Sequence, residues 1–271
     1  MAKPVLVGCG NMGSVLADAI IQKGICAAEE LTIVEKYQNP YTKRLSENGT
    51  RILENVGDLS GMLDLVLIAV KPQDSESVLA EIASKTDEKT LVISIMAGIT
   101  LAVLEEKLTW AQIIRCMPNT PCAIQMGMSV YCGNSSVSDQ SYVTAQSILS
   151  TMGRAFRVEK EIMIDAATAI SGSGPAYVFY LAEALKEGAI KLGFTEKQAD
   201  LLASQTILGS SILMDRSEDS PEELRRKVTS PGGTTLEATN YFDSKNLKSI
   251  LIGGFEAAFN RSIELGKPKK K

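Results

Sequence analysis

Gly8-Cys9-Gly10-Asn11-Met12-Gly13 sets three glycines in a GxGxxG pattern, between the apolar run Val5 to Val7 and a helical pattern starting at Met12. Each glycine has its own reason at that spacing. The first permits a tight turn, the second lets the backbone approach a pyrophosphate, and the third lets the helix pack close to the strand. The helix N-terminus then offers unpaired N–H groups and partial positive charge to phosphate oxygens. GxGxxG alone is a weak pattern; the strand before it and the helix after it give it chemical meaning. Gly8, Gly10, Asn11, Met12 and Gly13 are therefore expected to hold a dinucleotide pyrophosphate.

Glu35 ends a second β-rich run, Leu31 to Val34, 22 residues beyond Gly13, where an acid can accept the adenosine ribose hydroxyls. Taken alone it favours NADH. Lys36 beside it, with Thr42, Lys43 and Arg44 farther on, could instead approach a 2′-phosphate, so NADP(H) and NAD(H) both stay open as cofactors. Three later loops follow strand ends, where a doubly wound sheet places its ligands: Ala69-Val70-Lys71-Pro72, Met96-Ala97-Gly98 and Met117-Pro118-Asn119-Thr120-Pro121. Two prolines around Asn119 restrict the backbone and remove two donors, so its amide can be held toward a nicotinamide carboxamide. The plainer alternatives are a surface lysine at 71 and prolines that only end a strand.

Thr229-Ser230-Pro231-Gly232-Gly233-Thr234-Thr235 joins two helical patterns. A Pro-Gly-Gly turn flanked by hydroxyls exposes backbone N–H groups at a helix start, ready for a carboxylate, with Ser230, Thr234 and Thr235 as further donors. An ordinary N-cap loop is the competing reading. Ser171-Gly172-Ser173-Gly174-Pro175-Ala176-Tyr177 also opens a long helix, and its small residues suit close packing, a dimer contact or part of a pocket.

The chain contains no histidine, which removes the commonest general acid/base and the commonest metal ligand together. Its five cysteines (Cys9, Cys26, Cys116, Cys122, Cys132) form no CxxC pair, so no metal site is expected. Scattered cysteines suit a reducing compartment.

These groups need a scaffold, and the apolar pattern describes one. In the 271-residue chain, Val5 to Val7, Leu31 to Val34, Leu63 to Val70, Leu91 to Ile95 and Ile113 to Cys116 read as strands alternating with helical patterns. That is the signature of an α/β domain with a parallel sheet. Beyond about residue 160 the rhythm is helical: Pro175 to Leu192, Thr195 to Met214, Pro221 to Val228 and Leu247 to Leu265. The expected division is a dinucleotide-binding domain over residues 1–160 and a helical domain over 161–271.

A net charge of −4 argues against a nucleic-acid surface. The basic end, Lys267-Pro268-Lys269-Lys270-Lys271, reads as a solvated tail. No apolar stretch approaches the ~20 residues that cross a bilayer, and the start lacks the apolar segment and cleavage site of a signal peptide. A cytoplasmic protein without membrane partners is expected.

GCGNMG from Gly8, AVKPQ from Ala69, MPNTP from Met117, SGSGPAY from Ser171 and TSPGGTT from Thr229 together resemble the pyrroline-5-carboxylate reductase family over almost the whole chain. The resemblance implies an N-terminal Rossmann-type domain and an all-helical C-terminal dimerisation domain, with rings of dimers as a larger assembly. It implies NAD(P)H-dependent reduction of a cyclic imine acid, 1-pyrroline-5-carboxylate, to L-proline. By resemblance Asn55 lies toward the adenosine, and Val70, Lys71 and Ala97 toward the middle of the cofactor. Ser230, Gly232, Gly233, Thr234 and Thr235 would cradle the substrate carboxylate, with Thr235 closest to the imine nitrogen as catalytic residue. Glu161 and Glu218 match acids near that pocket. Many members prefer NADPH through small or basic residues after the second strand, and Glu35 departs from that pattern.

The missing histidine fits such a substrate. A ketone leaves an alkoxide that needs a positioned acid, whereas a cyclic imine can arrive protonated and yield a neutral amine. Two other readings stand beside this one. A related two-domain keto-acid reductase would need a lysine, and Lys186 and Lys191 are available. A noncatalytic dinucleotide-binding regulator would bind nucleotide without turnover.

Overall fold

The computed structural model describes residues 3–267, so the expectation for the basic tail at 268–271 lies outside the described residues. In chain order come β1 (Pro4–Val7), α1 (Asn11–Gln22), β2 (Thr32–Val34), α2 (Pro40–Glu47), β3 (Arg51–Leu53), β4 (Leu65–Ile68) and α3 (Ser75–Ala83). There follow β5 (Leu91–Ser94), α4 (Leu101–Lys107), β6 (Gln112–Met117), β7 (Gly127–Gly133), α5 (Asp139–Leu149), β8 (Gly153–Arg157) and α6 (Ile162–Ala167).

The strands form one sheet in the order β3-β2-β1-β4-β5-β6-β7-β8. From β3 to β6 every pairing is parallel, which is the doubly wound order of a Rossmann-type domain. β7 then pairs antiparallel with β6, and β8 runs parallel to β7. The parallel-sheet expectation therefore holds for six strands, with two reversed strands added at one edge.

Side chains alternate across this sheet with period two. Leu6, Leu67, Ile93 and Ile114 enter a layer with Leu16 and Ile20 of α1 and Ile148 of α5. Their neighbours Val7, Val66, Val92 and Ile113 enter the opposite layer with Ile82 of α3 and Leu104 of α4. Because helices cover both faces, β4 and β5 read as unbroken apolar runs, which is why they were legible in sequence.

The sequence reading did not anticipate β3, β7 or α5. β3 is only three residues long, and β7 carries glycine at both ends with Ser129 between, so neither shows a strong periodic run. Register with an already formed neighbour defines them: Ile52 lies opposite Ile33, and Tyr131 opposite Cys116.

The remaining helices are α7 (Gly174–Lys191), α8 (Glu196–Arg216), α9 (Pro221–Lys227), α10 (Thr234–Ser244) and α11 (Leu247–Leu265). Start signals read from sequence are formed. Thr195 and Gln198 make a reciprocal capping box on α8, and Ser220 accepts the Glu223 N–H at 3.2 Å ahead of Pro221 at the start of α9.

By compactness the described residues divide into a first unit, up to Gly172 and again from Phe259, and a second unit, Ser173–Ala258. The boundary expected at 160/161 differs from this division by the length of α6 and the π-helical turn Thr168–Gly172, and the end of α11 belongs to the first unit. The second unit has little interior of its own. Ala199 and Ala203 are buried, while Phe179, Tyr180, Leu201, Leu213 and Ile250 are exposed.

Candidate active site

In the first unit, β1 and β4 are neighbours whose following connections run to opposite sides of the sheet, and Gly8 follows β1 at that switch point. Gly8 has φ +93°, and a Cβ there would stand 2.8 Å from the Ala69 carbonyl carbon and the Val70 nitrogen. A Cβ on Gly13 would run into the Gly8 carbonyl oxygen, so the third glycine lets α1 sit on the turn. Gly10 differs: nothing lies within 4 Å of a Cβ built on it. Packing within the chain accounts for Gly8 and Gly13 but not for Gly10. The second glycine opens a cradle at the start of α1 that a side chain would fill, and such a cradle fits a pyrophosphate.

The turn is braced from the β2–α2 connection. The Cys9 N–H donates to Glu35 Oε2 at 2.7 Å, and the Tyr37 N–H reaches Oε1 at 3.3 Å. Asn39 caps α2 by accepting from the Tyr41 and Thr42 N–H groups, while its Nδ2 donates to the Cys9 carbonyl at 3.2 Å. The Tyr41 hydroxyl donates to Asn11 Oδ1 at 3.0 Å. Sequence reading passed over Asn39 and Tyr41. The Asn39-Pro40 pair signals a helix start, but nothing local says that the cap also holds a turn 30 residues away.

Of the cations weighed against Glu35, Arg44 is paired with Asp18 at 2.5 Å, and the Lys36 ammonium lies 5.5 Å from the Tyr37 ring centroid. Asn55 is exposed just beyond β3. Ala69 and Val70 are half-buried after β4, and Lys71 and Pro72 are exposed, with Pro72 opening a short 3₁₀ turn. After β5, Ala97 is exposed and Gly98 takes φ +73°.

Asn119 is engaged within the first unit. Its Nδ2 donates to the Ser171 carbonyl at 3.0 Å, and its Oδ1 accepts the Met128 N–H at 2.8 Å. The MPNTP loop and the start of the SGSGPAY string, 52 residues apart, therefore meet through this side chain, which keeps one N–H to offer a ligand. Gly172 assists the approach, since a Cβ there would stand 3.0 Å from Met117 Cε.

Glu161 lies at the start of α6, where Arg115 of β6 and α4 both reach it. Its Oε1 accepts from Arg115 Nη1 and from the Leu101 N–H, each at 2.7 Å. Arg115 Nη2 reaches Asp165 Oδ1 at 3.2 Å, and the same oxygen accepts the Ser262 hydroxyl at 2.8 Å. Arg115 sits on a central strand among apolar neighbours, and sequence reading missed it. A charge within Ile113-Ile114-Arg115-Cys116 is the one local sign that a buried partner must exist. Glu161 is thus tied into a structural network through Oε1, and the substrate role assigned to it by resemblance falls to its other oxygen, Oε2.

In the second unit, Gly232 has φ +68°, turning the chain so that the Gly233 N–H donates to the Ser230 carbonyl at 3.0 Å. Gly233 then occupies the N-cap of α10, where it has no side chain to satisfy the first-turn N–H groups. Thr229 is turned away, its hydroxyl donating to the Arg225 carbonyl at 2.7 Å. Thr234 is exposed and Thr235 half-buried at the start of this helix. Glu218 is exposed between α8 and α9, beside Asp219, whose carboxylate accepts from Lys227 at 2.6 Å. Lys186 is paired with Asp200 at 2.7 Å, and that hydrogen bond holds its ammonium above the ordinary lysine range. No group of three or more His, Cys, Asp or Glu suited to a metal occurs among the described residues. The five cysteines are buried, and burial pushes Cys9 and Cys132 up to about 12.

A parallel sheet of this order with a glycine turn at its switch point, joined to a helical unit, defines a two-part dinucleotide-dependent oxidoreductase. Residues 161–265 match the family model described as pyrroline-5-carboxylate reductase dimerisation, and residues 4–98 match that of NADP oxidoreductase, coenzyme F420-dependent. The chain is 34% identical to a pyrroline-5-carboxylate reductase of Synechocystis over 97% of each chain. It is similar to the structure of such a reductase from Coxiella burnetii, with TM-score 0.90 and 34% identity over 98% of this chain and 99% of that one. It also resembles the Plasmodium falciparum pyrroline carboxylate reductase with NADP bound, with TM-score 0.86 and 30% identity over 98% of each chain. The chain belongs to the pyrroline-5-carboxylate reductase family.

Proposed function

We propose that the protein reduces 1-pyrroline-5-carboxylate to L-proline with NADH or NADPH, the last step of proline biosynthesis. The observation that carries this reading is the Gly232-Gly233 turn opening α10 without a side-chain cap, in a chain that shares the family over nearly its whole length. A bound reduced nicotinamide supplies hydride. The protein's part is to hold the two reactants and to accommodate the change of charge. The first-turn N–H groups of α10, with Ser230, Gly232, Gly233 and Thr234, are assigned to the substrate carboxylate, since a helix N-terminus favours an anion. Thr235 is assigned to the ring nitrogen. Hydride addition breaks the C=N π bond of the protonated imine and its electron pair passes to nitrogen, giving a neutral secondary amine. No strong acid is needed at that step, in keeping with a chain that has no histidine.

Gly8, Gly10, Asn11, Met12 and Gly13 are assigned to the pyrophosphate, Glu35 and Asn55 to the adenosine side. Ala69, Val70, Lys71, Pro72, Ala97, Gly98 and Asn119 are assigned to the central and nicotinamide parts. Glu161 and Glu218 are placed near the substrate by resemblance. The exposed apolar faces of α7, α8 and α11 suit a second copy of the chain, so the proposed unit is a homodimer joined through the helical region, with a ring of dimers as the larger assembly. A cytoplasmic location without nucleic-acid or membrane partners completes the proposal. Among the described residues no helix is long and apolar enough to cross a membrane.

Steady-state assays should show oxidation of reduced nucleotide with pyrroline-5-carboxylate and none with keto acids. Turnover of keto acids alone would favour the hydroxyacid alternative. Tight nucleotide binding without turnover of any imine would favour a regulator.

A further inference from the structure

We propose that Glu35 makes this chain selective for NADH over NADPH. The proposal rests on the assignment of the glycine turn to the dinucleotide. Glu35 follows β2 directly, and its Oε2 accepts the Cys9 N–H at 2.7 Å from inside that turn. The carboxylate is consequently held at the edge of the pyrophosphate cradle rather than swinging free in solvent. A carboxylate oxygen accepts more than one hydrogen bond, so those on Glu35 retain lone pairs for ribose hydroxyls. A 2′-phosphate brings only acceptors and additional negative charge to the same place, where it meets a carboxylate whose position is set by the backbone.

The neighbouring cations do not reverse this. Arg44, one turn into α2, is paired with Asp18 at 2.5 Å. Lys36 is directed to the Tyr37 ring, 5.5 Å from its centroid. The Tyr41 hydroxyl, which could otherwise donate to a phosphate, donates to Asn11 at 3.0 Å. Arg44, Lys36 and the Tyr41 hydroxyl thus have other partners, and the acid that repels a 2′-phosphate is fixed.

Calorimetric titration of the full chain with NADH and NADPH separately tests this without relying on turnover. The expected result is NADH binding tighter by on the order of 100-fold, the scale of one close like-charge contact in a partly screened site. Glu35→Gln keeps an acceptor for the Cys9 N–H and removes the charge; the ratio of NADPH to NADH affinity should then rise at least about 10-fold. Equal or tighter NADPH binding by the unaltered protein overturns the proposal, as does a Glu35→Gln variant with the same ratio. Absence of binding by either nucleotide instead defeats the dinucleotide assignment itself, and the selectivity proposal with it.

Discussion

Arg115 Nη1 donates to Glu161 Oε1 at 2.7 Å, joining the middle of a central strand to the first residue before α6. The Arg115 side chain is 3% exposed and Glu161 30%, so the pair sits at the inner edge of the fold rather than in free solvent. Through Asp165 the same guanidinium reaches Ser262 near the end of α11. Strand, helix and chain end of the first unit therefore share one charge.

Arg115→Met should destabilise the protein by about 3 kcal/mol, because it leaves the Glu161 and Asp165 carboxylates without their cation. Urea unfolding followed by circular dichroism measures this. A loss below about 0.5 kcal/mol would mean that the network does not organise the fold.

Gly10→Ala and Gly13→Ala should separate function from packing. A methyl at Gly10 meets nothing in the chain, so the variant should keep its melting temperature and lose nucleotide affinity by at least about 10-fold. A methyl at Gly13 meets the Gly8 carbonyl, so that variant should lose about 2 kcal/mol of stability. Unchanged nucleotide affinity in Gly10→Ala would remove the pyrophosphate from this turn.

Thr235→Ala should lower kcat by roughly 100-fold while leaving nucleotide affinity unchanged, the pattern of an interaction strongest in the transition state. Steady-state kinetics with a direct nucleotide titration decides it. A rise confined to the KM for the imine would recast Thr235 as a substrate-binding residue only.

Stability should fall as pH rises above 9. In the folded chain burial keeps Cys9 and Cys132 protonated up to about 12, whereas in the unfolded chain they titrate near the ordinary thiol value of 9.0. Below that value both states hold the proton and no difference arises. Between 9 and 12 the unfolded state releases protons that the folded state retains, so unfolding is favoured. Urea midpoints across that window, with thiol-reagent counts showing no reaction until unfolding, check the sign.

Leu213→Asp on α8 should convert the proposed dimer to monomers with little change in the first unit. Leu213 is exposed in the single chain, and a second copy is the proposed cover. Light scattering coupled to size exclusion reads the mass directly; an unaltered dimer would place the interface elsewhere.

The parts of this protein determined by sequence alone are those whose reasons are local. GxGxxG specifies a turn because glycine tolerates φ +93° at Gly8 and close contact at Gly13. Buried β4 and β5 announce themselves as apolar runs, and Ser220-Pro221 and Thr195 mark helix starts within one turn. The Pro-Gly-Gly turn before α10 was visible for the same reason.

Tertiary structure decided what depends on distant partners. β7 becomes an antiparallel strand only because β6 presents an edge, and Asn119 is a brace only because Ser171 and Met128 come to it. Glu161 reads as a pocket acid by resemblance, and only the folded chain shows that Arg115, 46 residues away, engages one of its two oxygens. Glu35 had a meaning in sequence, but its fixed position came from the Cys9 N–H. A hydrogen bond or ion pair between groups far apart in the chain leaves no periodicity behind, so only the folded arrangement reveals which polar groups are free to act and which are already engaged.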